Sequence, residues 1–257
     1  QVLAVTEDAD GMVRSSCQEL LDTLVSDLAA RRPALDLTVP AGLHPIDAAG
    51  RLTQEDWCVH LPDAEGAWCL VAASVCFPTR WDLTTKIGRT IRQIHAPVPL
   101  YEQQLADPMD AFFARMRPGP GVWRLNWNLL TDPTLHQPSH ARRSAPPDAS
   151  SVGAQVWLRV ERQTLVKLPE SGAIVFGIRI HQDPLTSIAG DAAAVARLRG
   201  ALEQLPPEVL RDKGLVELAP AILAWLDAPP GGEAGRSRES QPQNNVRSAS
   251  RAPRSTS

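Results

Sequence analysis

Gln155–Leu168, QVWLRVERQTLVKL, the turn Pro169-Glu170-Ser171-Gly172 and Ala173–Ile180, AIVFGIRI, together decide the architecture of this 257-residue chain. Val156, Leu158 and Val160 alternate with Trp157, Arg159 and Glu161, the period of a strand whose two faces meet different surroundings. Pro and Gly in the intervening turn reverse the chain, so the second run returns as an antiparallel partner. Arg162 sits mid-strand beside Glu161. A charge inside a packed strand calls for a partner, either a structural carboxylate or a bound ligand.

Further strands read outward from this hairpin. Val122–Leu130 (VWRLNWNLL) is short and aromatic-rich, while Asp56–Leu61 and Ala67–Phe77 flank the turn Pro62-Asp63-Ala64-Glu65-Gly66. Helical spacing of apolar residues recurs over Arg14–Arg31, where Ser15 or Ser16 is the expected N-cap with Glu19 closing a capping box. It recurs over Asp107–Met116, Asp183–Gln204 and a short segment near Pro220–Leu226. Pro33 onward and Gln137–Val152 read as polar loops. The expectation is one α+β domain over residues 1–228, an antiparallel sheet of five or more strands flanked by helices. Residues 229–257 have Val246 as their only large aliphatic side chain, and such a tail is expected to be disordered.

Composition excludes several classes of function. The net charge is −3 and the tail contributes +3 of opposite sign, which leaves the folded part acidic and unsuited to nucleic acid. No run approaches the ~18 apolar residues of a membrane span, and no secretory signal is visible. The four cysteines, Cys17, Cys58, Cys69 and Cys76, form no CxxC pair, a usage that fits a reducing, cytoplasmic setting. Cys69 and Cys76 fall in an apolar run and are expected to be buried. There is no HExxH, P-loop, GxSxG elbow or GxGxxG after a strand. Electrons for any redox chemistry would therefore come from another chain.

One histidine stands apart. In WDLTTKIGRTIRQIHAPVP (81–99), His95 lies between Ile94 and an Ala-Pro-Val-Pro run. Proline fixes its own φ and disfavours helix in the preceding residue, so the backbone after His95 is expected to be stiff and extended, with the imidazole aimed. Such a histidine is either a packed structural residue or a ligand. A single axial histidine suffices for haem, because the porphyrin supplies four nitrogens. His44 and His140 read as solvated loop residues, His60 and His181 as satisfied strand residues, and His136, in LHQP, shares the nearby proline. Arg92, Arg124 and Arg162 are candidate anchors for anionic groups or structural ion-pair partners. Trp123, Trp127 and Trp157 line a cavity or belong to the core.

The segments VCFPTRWDLTTKIGRTIRQIHAPVP (75–99), FFARMRPGPGVWRLNW (112–127), LHQP (135–138) and LRVERQTLVKLPESGAIVFGIRIHQDPL (158–185) together resemble the haem-dependent oxidative N-demethylase family. The resemblance runs in order from about Leu70 to Leu185, with a fainter echo in the helix before Pro33. It implies a PAS-like haem domain, haem b as cofactor and O2 as oxidant. It also implies electrons from NADPH through a partner reductase subunit carrying FMN and an iron–sulfur cluster. The implied reaction converts a small secondary amine, dimethylamine, to methylamine and formaldehyde. By the same resemblance His95 is the iron ligand, and Arg92 and Arg124 are cofactor-binding candidates. Glu161 and Arg162 are then the catalytic candidates, Glu161 holding an ammonium substrate by charge pairing. The chain begins with Gln and lacks the family's N-terminal extension, so it reads as truncated. A haem-PAS ligand sensor without turnover is the alternative from another functional class, and a haem-free relic is the third.

Overall fold

In the computed structural model, residues 1–139, 147, 148 and 150–227 are described, so the expected tail, His140 and half of the 137–152 loop lie outside the described residues. Six antiparallel strands form one sheet in the order β1-β3-β2-β6-β5-β4. They are β1 (Val2–Val5), β2 (Asp56–Pro62), β3 (Trp68–Val75), β4 (Val122–Leu130), β5 (Trp157–Lys167) and β6 (Ile174–Pro184). The β5–β6 register is unbroken from Trp157↔Pro184 to Lys167↔Ile174, so the deciding hairpin is present and longer on its second side than the sequence suggested.

Because side chains alternate along a strand, the sheet presents two faces. One face carries Val59, Ala72 and Val175, against which α1 (Met12–Arg31) and α2 (Pro45–Leu52) pack through Val13, Cys17, Leu20, Ile46 and Ala49. At the β4 end, α5 (Val152–Gln155) precedes β5, and α6 (Ala192–Glu203), α7 (Pro207–Asp212) and α8 (Ala219–Asp227) follow β6, with Val195, Leu198, Ile222 and Trp225 burying Leu129 and Val156. Gly177 is glycine for a packing reason: a Cβ there would lie 2.6 Å from the Trp57 ring.

The other face is covered by the crossover between β3 and β4. It contains α3 (Ile91–His95), a π turn (Tyr101–Leu105) and α4 (Ala106–Arg115). Leu83 and Ile94 pack on Cys58, Leu70 and Ala73, while Ile91 and Phe113 pack on Ile174. Burying Ile91 alone contributes roughly 2 kcal/mol towards docking α3.

Several local expectations are corrected. Helix α1 starts at Met12, and the Asp8 carboxylate, not Ser15 or Ser16, accepts the Val13 and Arg14 N–H groups. Both serines bond back to Met12 O, and Glu19 instead accepts the N–H groups of Glu170 and Ser171. Helix α2 arises where a loop was expected, with His44 as N-cap and Pro45 in its first turn. The expected helix over 183–204 is divided. Pro184 completes β6, a 3-10 turn spans Leu185–Ile188, and α6 begins only after Asp191 caps Ala193 and Ala194. Cys17 and Cys58 are the buried thiols, whereas Cys69 and Cys76 are half-buried.

Candidate functional site

Helix α3 is short, so it depends on its ends. Thr90 and Gln93 form a reciprocal capping box, and Lys86 Nζ donates to Ile94 O at 2.9 Å. Ile91, Ile94 and His95 stand at helical spacing on one side, and burial of the two isoleucines turns the imidazole towards the sheet. The backbone after His95 is not extended. Ala96 is helical despite preceding Pro97, and Val98 N–H donates to His95 O at 2.8 Å, because the helix end continues into a turn.

The ring itself is held on two sides. His95 Nδ1 lies 2.9 Å from Ile91 O, and since a carbonyl only accepts, Nδ1 carries the proton. Nε2 then keeps its lone pair. Tyr101 stacks on the imidazole with ring centres 4.9 Å apart and planes 15° apart. Burial pushes the His95 pKa below the usual histidine value, and the charges of Arg124 and Lys86 push the same way. A neutral imidazole of fixed tautomer is the form that binds a metal. Tyr101 is buried, and its hydroxyl has no hydrogen-bond partner among the described residues.

Across from His95 the sheet face is polar and open. Arg124 and Asn126 of β4 stand opposite Gln163 and Glu161 of β5 in register. Arg124 Nε donates to Gln163 Oε1 at 2.8 Å, and Gln163 Nε2 donates to Glu161 Oε2 at 2.8 Å. Asn126 Nδ2 reaches the same Oε2 at 3.2 Å. Lys213, from the loop after α7, donates to Trp127 O at 2.6 Å and to Asn126 Oδ1 at 3.5 Å. Burial lowers the Lys213 pKa, and Glu161 opposes that shift. Leu165 and Phe176 belong to inner strands of this face and are half-buried beside the clusters that dock α3 and α4, so the apolar cover of the face thins towards β4.

The sequence-derived candidates therefore divide. His95, Arg124 and Glu161 share one face of the sheet. Arg162 does not join them: alternation puts it on the opposite face, where its guanidinium lies 5.5 Å from the Trp123 ring centre. Arg92 is committed to Glu102 at 2.6 Å, Asp107 at 3.2 Å and Asp110 at 3.3 Å, which ties α3 to the π turn and α4. Hydrogen bonding to Glu102 raises its pKa further, so it is a structural clamp carrying a fixed charge. Trp123 is 60% exposed and lines no core, while Trp127 is half-buried beneath Lys213. His136 is exposed, with Nδ1 3.0 Å from Cys76 O.

Three buried polar residues to which the sequence reading gave no site role brace this face and the loops around it. Arg159 is 1% exposed and donates to Phe77 O at 2.7 Å, Leu135 O at 3.1 Å and Gln182 Oε1 at 3.1 Å. Asp56 accepts Cys76 N–H at 2.6 Å and Phe77 N–H at 3.1 Å. His60 is buried against Phe113, with Nδ1 3.2 Å from Ile174 O. The alternation that makes Arg159, Glu161 and Gln163 one row was the available signal for the first. Nothing local marked Asp56, and His60 is a satisfied strand histidine, as its place in the sequence suggested.

Asp56 and His60 give opposite pH dependences. Burial pushes Asp56 from 3.8 up to about 6, so its stabilising contribution is complete below its unfolded value and is lost as pH rises through about 6. Burial pushes His60 from 6.5 down to about 4, so its contribution is complete above its unfolded value and is lost as pH falls through about 4. Each is on the order of 3 kcal/mol, and they offset one another over the shared window. Urea unfolding of Asp56→Asn against the parent chain tests this. The stability difference should shift in favour of the variant by roughly 3 kcal/mol between pH 4 and 6.5, and a pH-independent difference would remove Asp56 as the titrating group.

Among the described residues no group of three His, Cys, Asp or Glu side chains is placed to hold a bare metal ion, and no helix is long and apolar enough to cross a membrane. The family model described as haem-dependent oxidative N-demethylase, alpha subunit-like, matches residues 34–223, which run from just before α2 into α8 and leave β1 and α1 outside.

Proposed function

The chain belongs to the haem-dependent oxidative N-demethylase, alpha subunit-like, family, and on that premise we propose that it is the haem-binding subunit of an enzyme that removes an N-methyl group from a small secondary amine such as dimethylamine. One observation carries the reading. His95 spends Nδ1 on a carbonyl and leaves Nε2 without a hydrogen bond among the described residues, with Arg124 within electrostatic reach. That donor set fits haem. A neutral imidazole would ligate the iron, and the guanidinium of Arg124, engaged through Nε alone, would meet a propionate. The unsatisfied Tyr101 hydroxyl beside His95 gives a bound molecule a further polar contact. The helical crossover between β3 and β4, laid on one face of an antiparallel sheet, supports the PAS-like part of the reading.

Haem, when bound, supplies O2 activation. One oxygen atom leaves in formaldehyde and the other in water, with two electrons and two protons supplied from outside. The chain's own residues do the rest. Glu161 accepts the N–H of the protonated amine and thereby orients the methyl group, while the half-buried Leu165 and Phe176 keep the neighbouring sheet surface apolar. The chain shows no dinucleotide or flavin fingerprint in its sequence, and the electrons are assigned to a partner reductase carrying FMN and an iron–sulfur cluster and using NADPH. A reducing, cytoplasmic setting suits the four free thiols.

The test is the absorption spectrum of the chain reconstituted with hemin and titrated with dimethylamine. A one-to-one Soret band that shifts with the amine is the expected result. A band indifferent to the amine would sink the substrate assignment, and failure to take up hemin would sink the haem reading as well.

A further inference from the structure

Two arms converge on one oxygen of Glu161. Each runs from a cation through a primary amide to the same Oε2: Arg124 through Gln163, with contacts of 2.8 Å and 2.8 Å, and Lys213 through Asn126, with contacts of 3.5 Å and 3.2 Å. The amide orientations are fixed by chemistry. Arginine and lysine can only donate, and the carboxylate only accepts, so each amide oxygen must face its cation and each amide NH2 must face Glu161. A cation on the carbonyl side of an amide polarises its N–H groups, which strengthens the bond each makes to the carboxylate. Gln163 is buried on an inner strand and cannot swing away. The other oxygen, Oε1, makes no hydrogen bond among the described residues.

We propose that Gln163 and Asn126 are positioning residues that pin Glu161 by Oε2 and so present Oε1 to an N–H of the bound ammonium. This rests on the reading of Glu161 as the ammonium holder, and it makes the site select for cations that carry an N–H. Arg124 would serve both ends of the site, since its Nε orders the first arm while its remaining N–H groups, which make no hydrogen bond among the described residues, would be free for a haem propionate. Occupancy of the cofactor site and the aim of Glu161 are thereby joined through Gln163.

The proposal is tested on the hemin-loaded chain, with Gln163→Leu, Asn126→Leu and the double variant, by calorimetric titration with dimethylammonium and tetramethylammonium chloride. Cyanide binding to the haem serves as the control on the iron. Each single variant should bind dimethylammonium roughly tenfold more weakly, the loss expected for hydrogen bonds to a charged group. Tetramethylammonium, which has no N–H, should be much less affected, and cyanide affinity should not change. The double variant should lose less than the product of the single losses, because both arms end on one atom. Asn126 is half-buried on an edge strand, so Asn126→Leu carries the test alone if Gln163→Leu does not fold. Equal losses for both ammonium ions, or unchanged dimethylammonium binding, would overturn the positioning role and leave Glu161 as ammonium holder intact. A parent chain that binds cyanide but not dimethylammonium would overturn both.

Discussion

Replacing His95 by alanine is expected to abolish one-to-one haem binding while leaving the chain folded. The size of the effect follows from what the imidazole does. Losing an outer partner of a metal ligand already costs 10–100-fold in affinity in typical sites. Losing the only protein ligand should exceed that, so hemin affinity should fall by more than about 100-fold. The cost to folding is small by comparison. His95 closes a single hydrogen bond to Ile91 O at the end of a five-residue helix that Ile91 and Ile94 already dock. Roughly 1 kcal/mol is the expected loss, read from urea unfolding of the apo chain. Because Tyr101 still walls the vacated space, free imidazole added to the variant should restore the Soret band. An unchanged Soret band without imidazole would remove His95 as ligand. His136 would be tested next, since its Nδ1 is engaged by Cys76 O and its ring is exposed.

How far this site was legible in the sequence depends on the distance over which each signal acts. The β5–β6 hairpin and β4 were readable because alternation is a local property and the turns carry Pro and Gly. The first hairpin was readable for the same reason, with Asp63 accepting Glu65 and Ala67 N–H groups around Gly66. His95 stood out, but its setting did not. A proline-rich flank suggested an extended chain, whereas tertiary packing of Ile91 and Ile94 imposes a helix up to the histidine itself. Nearness in sequence does not decide where the candidate arginines lie. Arg92 is near His95 along the chain but is captured by Glu102, Asp107 and Asp110, and Arg162 is one residue from Glu161 and therefore on the other face. In a strand the neighbour at i+1 is the wrong partner and the neighbour at i+2 is the right one, which is why Gln163 rather than Arg162 touches Glu161.

The same row explains why Arg159→Ala should be the most damaging substitution to stability in this face. Arg159 is the largest side chain among those fully buried, and among the described residues it forms no ion pair with a carboxylate. Its charge is balanced instead by the carbonyls of Phe77 and Leu135, the Gln182 amide, and the more distant Asp56 and Glu161. Those two carbonyls belong to the loops that leave β3 and β4. The loops are also joined to each other by Gln137 N–H to Pro78 O at 3.0 Å and by Arg80 N–H to Gln137 O at 2.6 Å. Truncation to alanine therefore leaves a large cavity and strips buried carbonyls of their donors. Losses of roughly 3–5 kcal/mol are typical when such a buried charged group is removed from its partners. For a domain of this size that corresponds to a fall in Tm on the order of 10 °C. Arg159→Met separates the two causes, since it refills most of the volume without restoring a donor. It should recover only part of the loss and still cost about 2 kcal/mol, set by the desolvated carbonyls. Full recovery in Arg159→Met would mean that Arg159 serves as volume alone, and that the exits of β3 and β4 are held by Asp56 and the 78–137 pairing without it. Because Phe77 begins the crossover that carries His95, the partial-recovery outcome should also appear as reduced hemin affinity in both variants, with Arg159→Ala the weaker binder.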